Sequence, residues 1–202
     1  MPSLGVNDHN NDKDLKDFKQ EIIYKGLTRN RTIHIWDEIN DEMELVVVNA
    51  ISKMCNPDSK GNKLPITIKI NSPGGEILSA YSICNHIEKA NKEGYFVTTE
   101  GYSKIFSAAV PIYLMGHKKR CSRLSRFLIH DGSVFMVGHV TGEESKRLSK
   151  SMEEISVPYE NILSSKSKLT KKQIKEYSSR IEDWEFWGTD SVRYGMTDEL
   201  MA

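Results

Sequence analysis

The sequence lacks the features that mark several large classes of protein. It has only three cysteines and six prolines in 202 residues, and its charge is balanced, since 28 lysines and arginines match 28 aspartates and glutamates. Cys55, Cys84 and Cys121 are odd in number and lack the close pairing of a zinc site, so we expect reduced, small apolar side chains. A neutral chain gives no electrostatic reason to bind nucleic acid. The sequence therefore predicts no metal, no other cofactor and no nucleic-acid partner.

Long hydrophobic runs are also missing. No apolar run approaches the roughly 20 residues of a membrane span, so we expect no membrane association. Residues 1–20 are polar and rich in Asp, Asn and Lys, which is unlike a signal peptide and favours a cytoplasmic location. We expect residues 1–30 to form a mobile arm, because they offer little to bury, and residues 31–202 to form a single domain.

The most informative stretch runs from Ile66 to Glu76. Alternating isoleucines at 66, 68 and 70 predict a strand, the sequence Asn-Ser-Pro-Gly-Gly over 71–75 predicts a tight turn, and the pattern from Ile77 predicts a helix. Paired glycines at such a junction let a ligand approach the peptide N–H groups, so the turn is a candidate oxyanion binder. The alternative is that Pro-Gly-Gly only turns the chain.

The order of the predicted elements indicates an α/β fold. A strand at 31–36 and a helix beginning at Asn40 or Asp41 precede the central strand, and a helix over about 76–90 and a strand over 95–99 follow it. Strand, helix, strand implies a parallel, right-handed crossover unit. Thr141 and Glu144 form a capping-box pattern that begins a long polar helix reaching about Ser167. A helix this polar is expected to project from the domain and pack against a partner.

Ser107 is predicted to stand at the start of a buried helix. The apolar run from 108 to 115 reads as that helix, and Pro111 is tolerated only in its first turn, so the helix begins near Ser107. A hydroxyl at a helix N-terminus after a strand lies where developing negative charge is favoured, which suits a nucleophile. The alternative is that Ser107 only caps the helix.

His130 is predicted to stand at the end of a strand. Residues 126–129 form the apolar strand, and Asp131-Gly132 then turns the chain. Strand ends of this kind line clefts in parallel sheets, although the histidine could equally be a satisfied polar terminus.

These motifs together resemble the proteolytic subunit of the Clp protease, over about residues 31–201. The resemblance rests on Asn-Ser-Pro-Gly-Gly at 71–75, Ser-Ala-Ala at 107–109, Arg-Phe-Leu-Ile-His at 126–130 and Tyr-Gly-Met-Thr-Asp at 194–198. It implies the ClpP/crotonase-like spiral of ββα units, with a protruding long handle helix over about 141–163.

The resemblance also implies a catalytic site. Ser107 would be the nucleophile, His130 the general base and Asp183 the carboxylate that holds the histidine, while the backbone N–H groups of Gly75 and Ala108 would form the oxyanion hole. These are the parts that a serine peptidase needs. Asp183 has three competitors for its role: Asp131, Glu182 and Asp190.

The activity implied is that of a serine endopeptidase. Such subunits form a heptameric ring, two rings stack through the long helix, and an AAA+ unfoldase feeds in unfolded polypeptide. This chain has no Gly-x-x-x-x-Gly-Lys-[Ser/Thr] phosphate loop, so the unfoldase would be a separate protein. Two alternatives stay open: a non-catalytic ring or scaffold subunit, and a crotonase-like acyl-CoA enzyme.

One departure from the family pattern concerns the nucleophile. The family usually has Gly-x-Ala-Ala-Ser, whereas five residues separate Gly101 from Ser107 here, two more than expected. An ungapped alignment would put Ile105 in the nucleophile position and make the chain inactive. We favour Ser107, because the Ser-Ala-Ala sequence and Pro111 both place the helix there.

Overall fold

The computed structural model describes residues 28–130, 141–178 and 183–201. The arm expected at 1–30 falls almost entirely outside these ranges. The strands are β1 (Thr28–Arg29), β2 (Thr32–Ile35), β3 (Ile66–Ser72), β4 (Val97–Phe106), β5 (Lys118–Cys121), β6 (Arg126–Ile129), β7 (Trp184–Trp187) and β8 (Glu199–Leu200). The helices are α1 (Asp41–Met54), α2 (Ile77–Lys92), α3 (Ala109–Leu114), α4 (Gly142–Lys166), α5 (Lys171–Ser178) and α6 (Gly188–Arg193).

The strands form one mainly parallel sheet in the order β1-β2-β3-β4-β5-β8, with β6 and β7 branching from β4. Only the β1–β2 and β6–β7 pairs are antiparallel among the described strands. Helices connect the parallel strands, as right-handed crossovers require. The predicted α/β class is confirmed.

The core is built from β-branched side chains on the central strands. In β3 burial alternates strictly, with Ile66, Ile68 and Ile70 fully buried. Branched side chains of this kind pack well on a pleated surface that helices cover. Helix α1 begins as predicted, because the Asn40 side chain accepts a hydrogen bond from the Met43 N–H at 2.9 Å.

Strand β4 is longer than the sequence predicted. In its pairing with β3, Ile70 is matched with Gly101 but Ser72 is matched with Ile105. Between these two pairs β3 advances by two residues and β4 by four, so β4 contains two extra residues. The extra residues form a bulge, and segment 102–104 is exposed. A hydrogen bond from the Lys104 N–H to Asn71 Oδ1, at 3.1 Å, fixes the end of this segment. A bulge has no periodic signature, so the strand ending near residue 99 was a wrong prediction.

Helix α4 matches the predicted long helix. Both capping-box bonds form: the Glu144 N–H donates to Thr141 Oγ1 at 3.2 Å and the Thr141 N–H donates to Glu144 Oε2 at 2.8 Å. At about 1.5 Å per residue its 25 residues extend ~37 Å. Leu163 is its one fully buried residue, eight others are half-buried, and the remaining sixteen leave a long face exposed to solvent. None of the helices in the described ranges is both long and apolar enough to cross a membrane.

Candidate active site

Ser107 lies in the turn between β4 and α3. Its φ is +50°, a left-handed conformation that few residues other than glycine adopt. The Ser107 N–H donates to the Leu128 carbonyl at 2.8 Å, and the Ser107 carbonyl accepts from the Val110 N–H at 3.0 Å. Such a strained strand-to-helix turn is how nucleophilic serines are exposed above a sheet.

His130 directly follows β6 and meets Ser107. Strands β4 and β6 run parallel and end together, with Phe106 paired to Leu128. His130 Nε2 therefore lies 2.8 Å from Ser107 Oγ, within hydrogen-bond distance. The structure thus brings together two predicted site residues that are 23 positions apart in the chain. The imidazole is placed to accept the hydroxyl proton.

The Pro-Gly-Gly turn after β3 packs directly on Ser107. Gly74 has φ +96°, and a Cβ added there would stand 2.7 Å from the Phe106 carbonyl oxygen and 2.8 Å from Ser107 Cβ. Ser72 is fully buried and its hydroxyl fixes the turn by accepting from the Gly74 N–H at 3.1 Å. A side chain at residue 74 would therefore push the turn and the nucleophile apart.

Gly75 and Ala108 present backbone N–H groups beside the serine. Both neighbours of Gly75 are hydrogen-bonded to Ile39. The Ile39 N–H donates to the Gly74 carbonyl and the Glu76 N–H donates to the Ile39 carbonyl, each at 2.7 Å. No described residue accepts a hydrogen bond from the N–H of Gly75 or of Ala108. The Cβ position of Gly74 lies 3.2 Å from the Ala108 nitrogen, so the turn adjoins the second donor. Two backbone donors near the nucleophile that bind no described acceptor are the groups from which an oxyanion hole can be built.

Asp183 stands immediately before β7, and His130 immediately follows β6, the strand that pairs with β7. Strands β6 and β7 are antiparallel, with Ile129 paired to Trp184. This is the last pair between the two strands; if the register were extended by one step, His130 would face Asp183, and facing residues have Cβ atoms about 4.5–5.5 Å apart. The Asp183 side chain is exposed, and no hydrogen bond joins it to His130 in the described part of the chain. Its role stays a prediction.

The competitors of Asp183 are placed differently. Asp190 lies in α6 and pairs with Arg193 at 3.6 Å. Asp131 and Glu182 lie outside the described residues.

Ile105 cannot occupy the nucleophile position. It lies inside β4, is fully buried, and pairs with Phe127 of β6. The bulge at 102–104 absorbs the two extra residues before the serine and lets β4 end at Phe106. The structure therefore places Ser107 at the strand end, as the Pro111 argument predicted.

A cavity of 400 Å³ opens beside Ser107 and His130. Its other walls come from the segment between β2 and α1, from the turn after β3 and from helices α2, α4 and α5. The residues are Glu38, Gly75, Glu76, Ile77, Tyr81, Ile155, Ser156, Tyr159, Glu160, Ile174 and Ser178. This is a space that could receive a substrate side chain.

Two tyrosines of this cavity were not predicted as site residues. The Tyr159 hydroxyl donates to the Ser107 carbonyl at 3.3 Å, and the Tyr81 hydroxyl donates to the Ile155 carbonyl at 2.6 Å. Burial raises the pKa of Tyr81 to about 12 and also raises the pKa of Tyr159, so both stay protonated donors at neutral pH. Both tyrosines sit among apolar positions of their helices, a pattern that predicts burial but not the bond partner.

Across residues 28–130, 141–178 and 183–201, no group of three or more His, Cys, Asp or Glu side chains is arranged to hold a metal ion.

Comparison with known proteins assigns the family. The family model described as Clp protease matches residues 16–202. The chain belongs to the Clp protease family. A solved structure of a ClpP1 point mutant from Listeria monocytogenes is 22% identical to it, with a TM-score of 0.71 and coverage of 91% of this chain and 95% of that one. This likeness to a Clp protease shows the fold and confirms the resemblance drawn from the sequence motifs.

Proposed function

We propose that this Clp-type peptidase is a serine endopeptidase with Ser107 as its nucleophile. The observation that carries the proposal is the 2.8 Å contact between Ser107 Oγ and His130 Nε2, next to two unused backbone donors. A serine hydroxyl is a weak nucleophile unless a base takes its proton, and His130 is in place to do so.

In the proposed reaction Ser107 Oγ attacks the peptide carbonyl carbon as His130 takes the hydroxyl proton. The carbonyl oxygen becomes an oxyanion, which the N–H groups of Gly75 and Ala108 stabilise. His130 then gives its proton to the amine leaving group, the peptide bond breaks, and an acyl-enzyme remains. Water, deprotonated by His130, releases the acid and restores the serine.

Asp183 is the proposed third member of the triad. The β6–β7 register supports this role, because its extension by one step beyond the Ile129–Trp184 pair would set residue 183 opposite residue 130. A carboxylate there would hold the imidazole in the correct tautomer and stabilise the imidazolium that forms during attack.

The decisive experiment is labelling of the purified chain with a fluorophosphonate, read by mass spectrometry. We expect one adduct, on Ser107, that is absent in Ser107→Ala and unchanged in Ser103→Ala, an exposed serine of the β4 bulge. The absence of any adduct on a fully assembled sample would favour the non-catalytic scaffold. The β4 bulge argues against that alternative, because it restores the spacing on which the alternative was based. Binding of acyl-CoA would favour the crotonase-like enzyme.

The proposal includes assembly and supply of substrate. The long exposed face of α4 supports the expected stacking of two heptameric rings, since a helix so open to solvent has surface to bury against a second copy. Native mass spectrometry tests this stoichiometry. A separate AAA+ unfoldase as the supplier of unfolded polypeptide, and a cytoplasmic location, stay predictions from the sequence.

A further inference from the structure

The cavity beside Ser107 carries an unbalanced set of charges. Three carboxylates line it, and its described lining residues include no lysine or arginine: Glu38, Glu76 and Glu160. A site whose walls carry one sign of charge selects substrates of the opposite sign.

Glu160 is the carboxylate that faces the cavity from α4. Ile155, Ser156, Tyr159 and Glu160 all line the cavity and are spaced as one face of a helix. The Glu160 side chain is only 21% exposed, while its partner Lys175, at 3.6 Å, is 66% exposed. A pair with so exposed a lysine is weak, so a cation entering the cavity can replace Lys175 at little cost.

Glu38 and Glu76 also line the cavity, and both lie beside the Gly-Gly turn. The Cβ position of Gly75 is 2.9 Å from Glu38 Cγ, which puts the Glu38 side chain against the proposed oxyanion donor. Glu76 directly follows that glycine, and its carboxylate accepts from the Ser79 hydroxyl at 3.3 Å. Carboxylates therefore reach the cavity wall from α4 and from the chain around the Gly-Gly turn.

Half of the ten remaining lining residues are apolar or aromatic, and the others are Gly75, Ser107, His130, Ser156 and Ser178. Ile77, Ile155 and Ile174 line the cavity together with the rings of Tyr81 and Tyr159. Isoleucine and tyrosine side chains together with carboxylates fit a substrate side chain that has an aliphatic stem and a cationic head, which describes lysine and arginine.

We propose that this site prefers a lysine or arginine side chain next to the bond that is cleaved, and that Glu160 is the main determinant of this preference. The inference rests on the proposed serine peptidase function, since it assigns the cavity to the substrate of Ser107.

The test uses three phosphonate diesters that label an activated serine and differ only in the end of one four-atom side chain, which carries an ammonium, a methyl or a carboxylate. The rate of adduct formation on Ser107 is measured for the full-length assembled protein. We expect the ammonium probe to react about tenfold faster than the methyl probe, which corresponds to about 1.4 kcal/mol. The carboxylate probe is expected to be the slowest. The ammonium advantage should shrink when ionic strength rises from about 0.05 to about 0.5 M.

Variants of Glu160 and of its partner Lys175 test whether this ion pair controls the preference for the ammonium probe. Glu160→Gln should remove most of the ammonium advantage, while Lys175→Gln should increase it, because Glu160 is then unpaired. Glu154→Gln is the matched control. Glu154 also lies on α4 and pairs with a lysine, Lys150, at 3.9 Å, but its side chain is 70% exposed. Its replacement should leave the preference for the ammonium probe unchanged.

Failure of the inference is distinguishable from failure of the proposed function. If the methyl probe labels Ser107 as fast as the ammonium probe, the preference is refuted and the peptidase stands. If the ammonium probe is faster but Glu160→Gln leaves the ratio unchanged, the assignment of the preference to Glu160 is refuted. If none of the three probes labels Ser107 and the fluorophosphonate also fails, both are refuted.

Discussion

Replacing Gly74 by alanine tests whether the Gly-Gly turn fixes the nucleophile. Two costs arise at this position. The φ of +96° is left-handed, where a side chain costs about 1–2 kcal/mol. The new Cβ would also approach the Phe106 carbonyl oxygen to 2.7 Å and Ser107 Cβ to 2.8 Å, and relieving such crowding in a packed site costs about 1–3 kcal/mol. Since the first contact is with backbone, the chain around the serine must move.

Gly61→Ala separates the two costs. Gly61 also has a positive φ, of +80°, but a Cβ there meets nothing within 4 Å. Both variants should therefore lose about 1–2 kcal/mol of unfolding free energy from backbone strain. Only Gly74→Ala should lose the additional 1–3 kcal/mol or so from crowding.

Two assays read the outcome. Denaturant unfolding gives the free energy of unfolding, and the rate of fluorophosphonate labelling reports the alignment of Ser107. A displacement of a few tenths of an ångström to 1 Å at the nucleophile should slow labelling by about 10- to 100-fold in Gly74→Ala. Gly61→Ala should label at the rate of the unmodified protein. If Gly74→Ala labels as fast as Gly61→Ala, the turn does not hold the nucleophile and this reasoning is refuted.

Two further predictions concern the neighbours of Ser107. Asp183→Asn should slow labelling of Ser107 by about a hundredfold or more, because the imidazole loses its orienting carboxylate, while Asp190→Asn should have little effect. Equal effects of the two variants would remove Asp183 from the triad. Tyr159→Phe should slow labelling by about two- to tenfold, the value of one hydrogen bond of about 0.5–1.5 kcal/mol, because the Ser107 carbonyl loses a donor. Tyr81→Phe removes a bond to α4 alone, so an equal loss there would show that the effect arises from the helix.

The sequence carried enough information to predict most elements near the site. Alternating isoleucines predicted β3, and the structure shows them buried. Proline at 111 predicted a helix start near residue 107, and α3 begins at Ala109. These signals are local, because strand alternation, capping and the constraint on proline act between residues a few positions apart.

The pairing of Ser107 with His130 could be predicted only through the family resemblance. Locally each residue had an ordinary structural alternative, as a helix cap or a polar strand end. The contact between them depends on β4 and β6 ending together, which follows from strand register. Register is set by packing across the sheet and has no local signature.

The sequence by itself determined the α/β class, the capped long helix, the glycine turn and the residues that can carry the chemistry. Only the tertiary structure decided how two extra residues in β4 bulge outward, that Tyr159 binds the Ser107 carbonyl, and that Glu160 lines the same cavity. The physical reason is the separation along the chain of the residues that interact. Propensities, caps and turns are fixed by neighbours in the chain, whereas a hydrogen bond spanning 52 positions exists only once sheet and helices have packed.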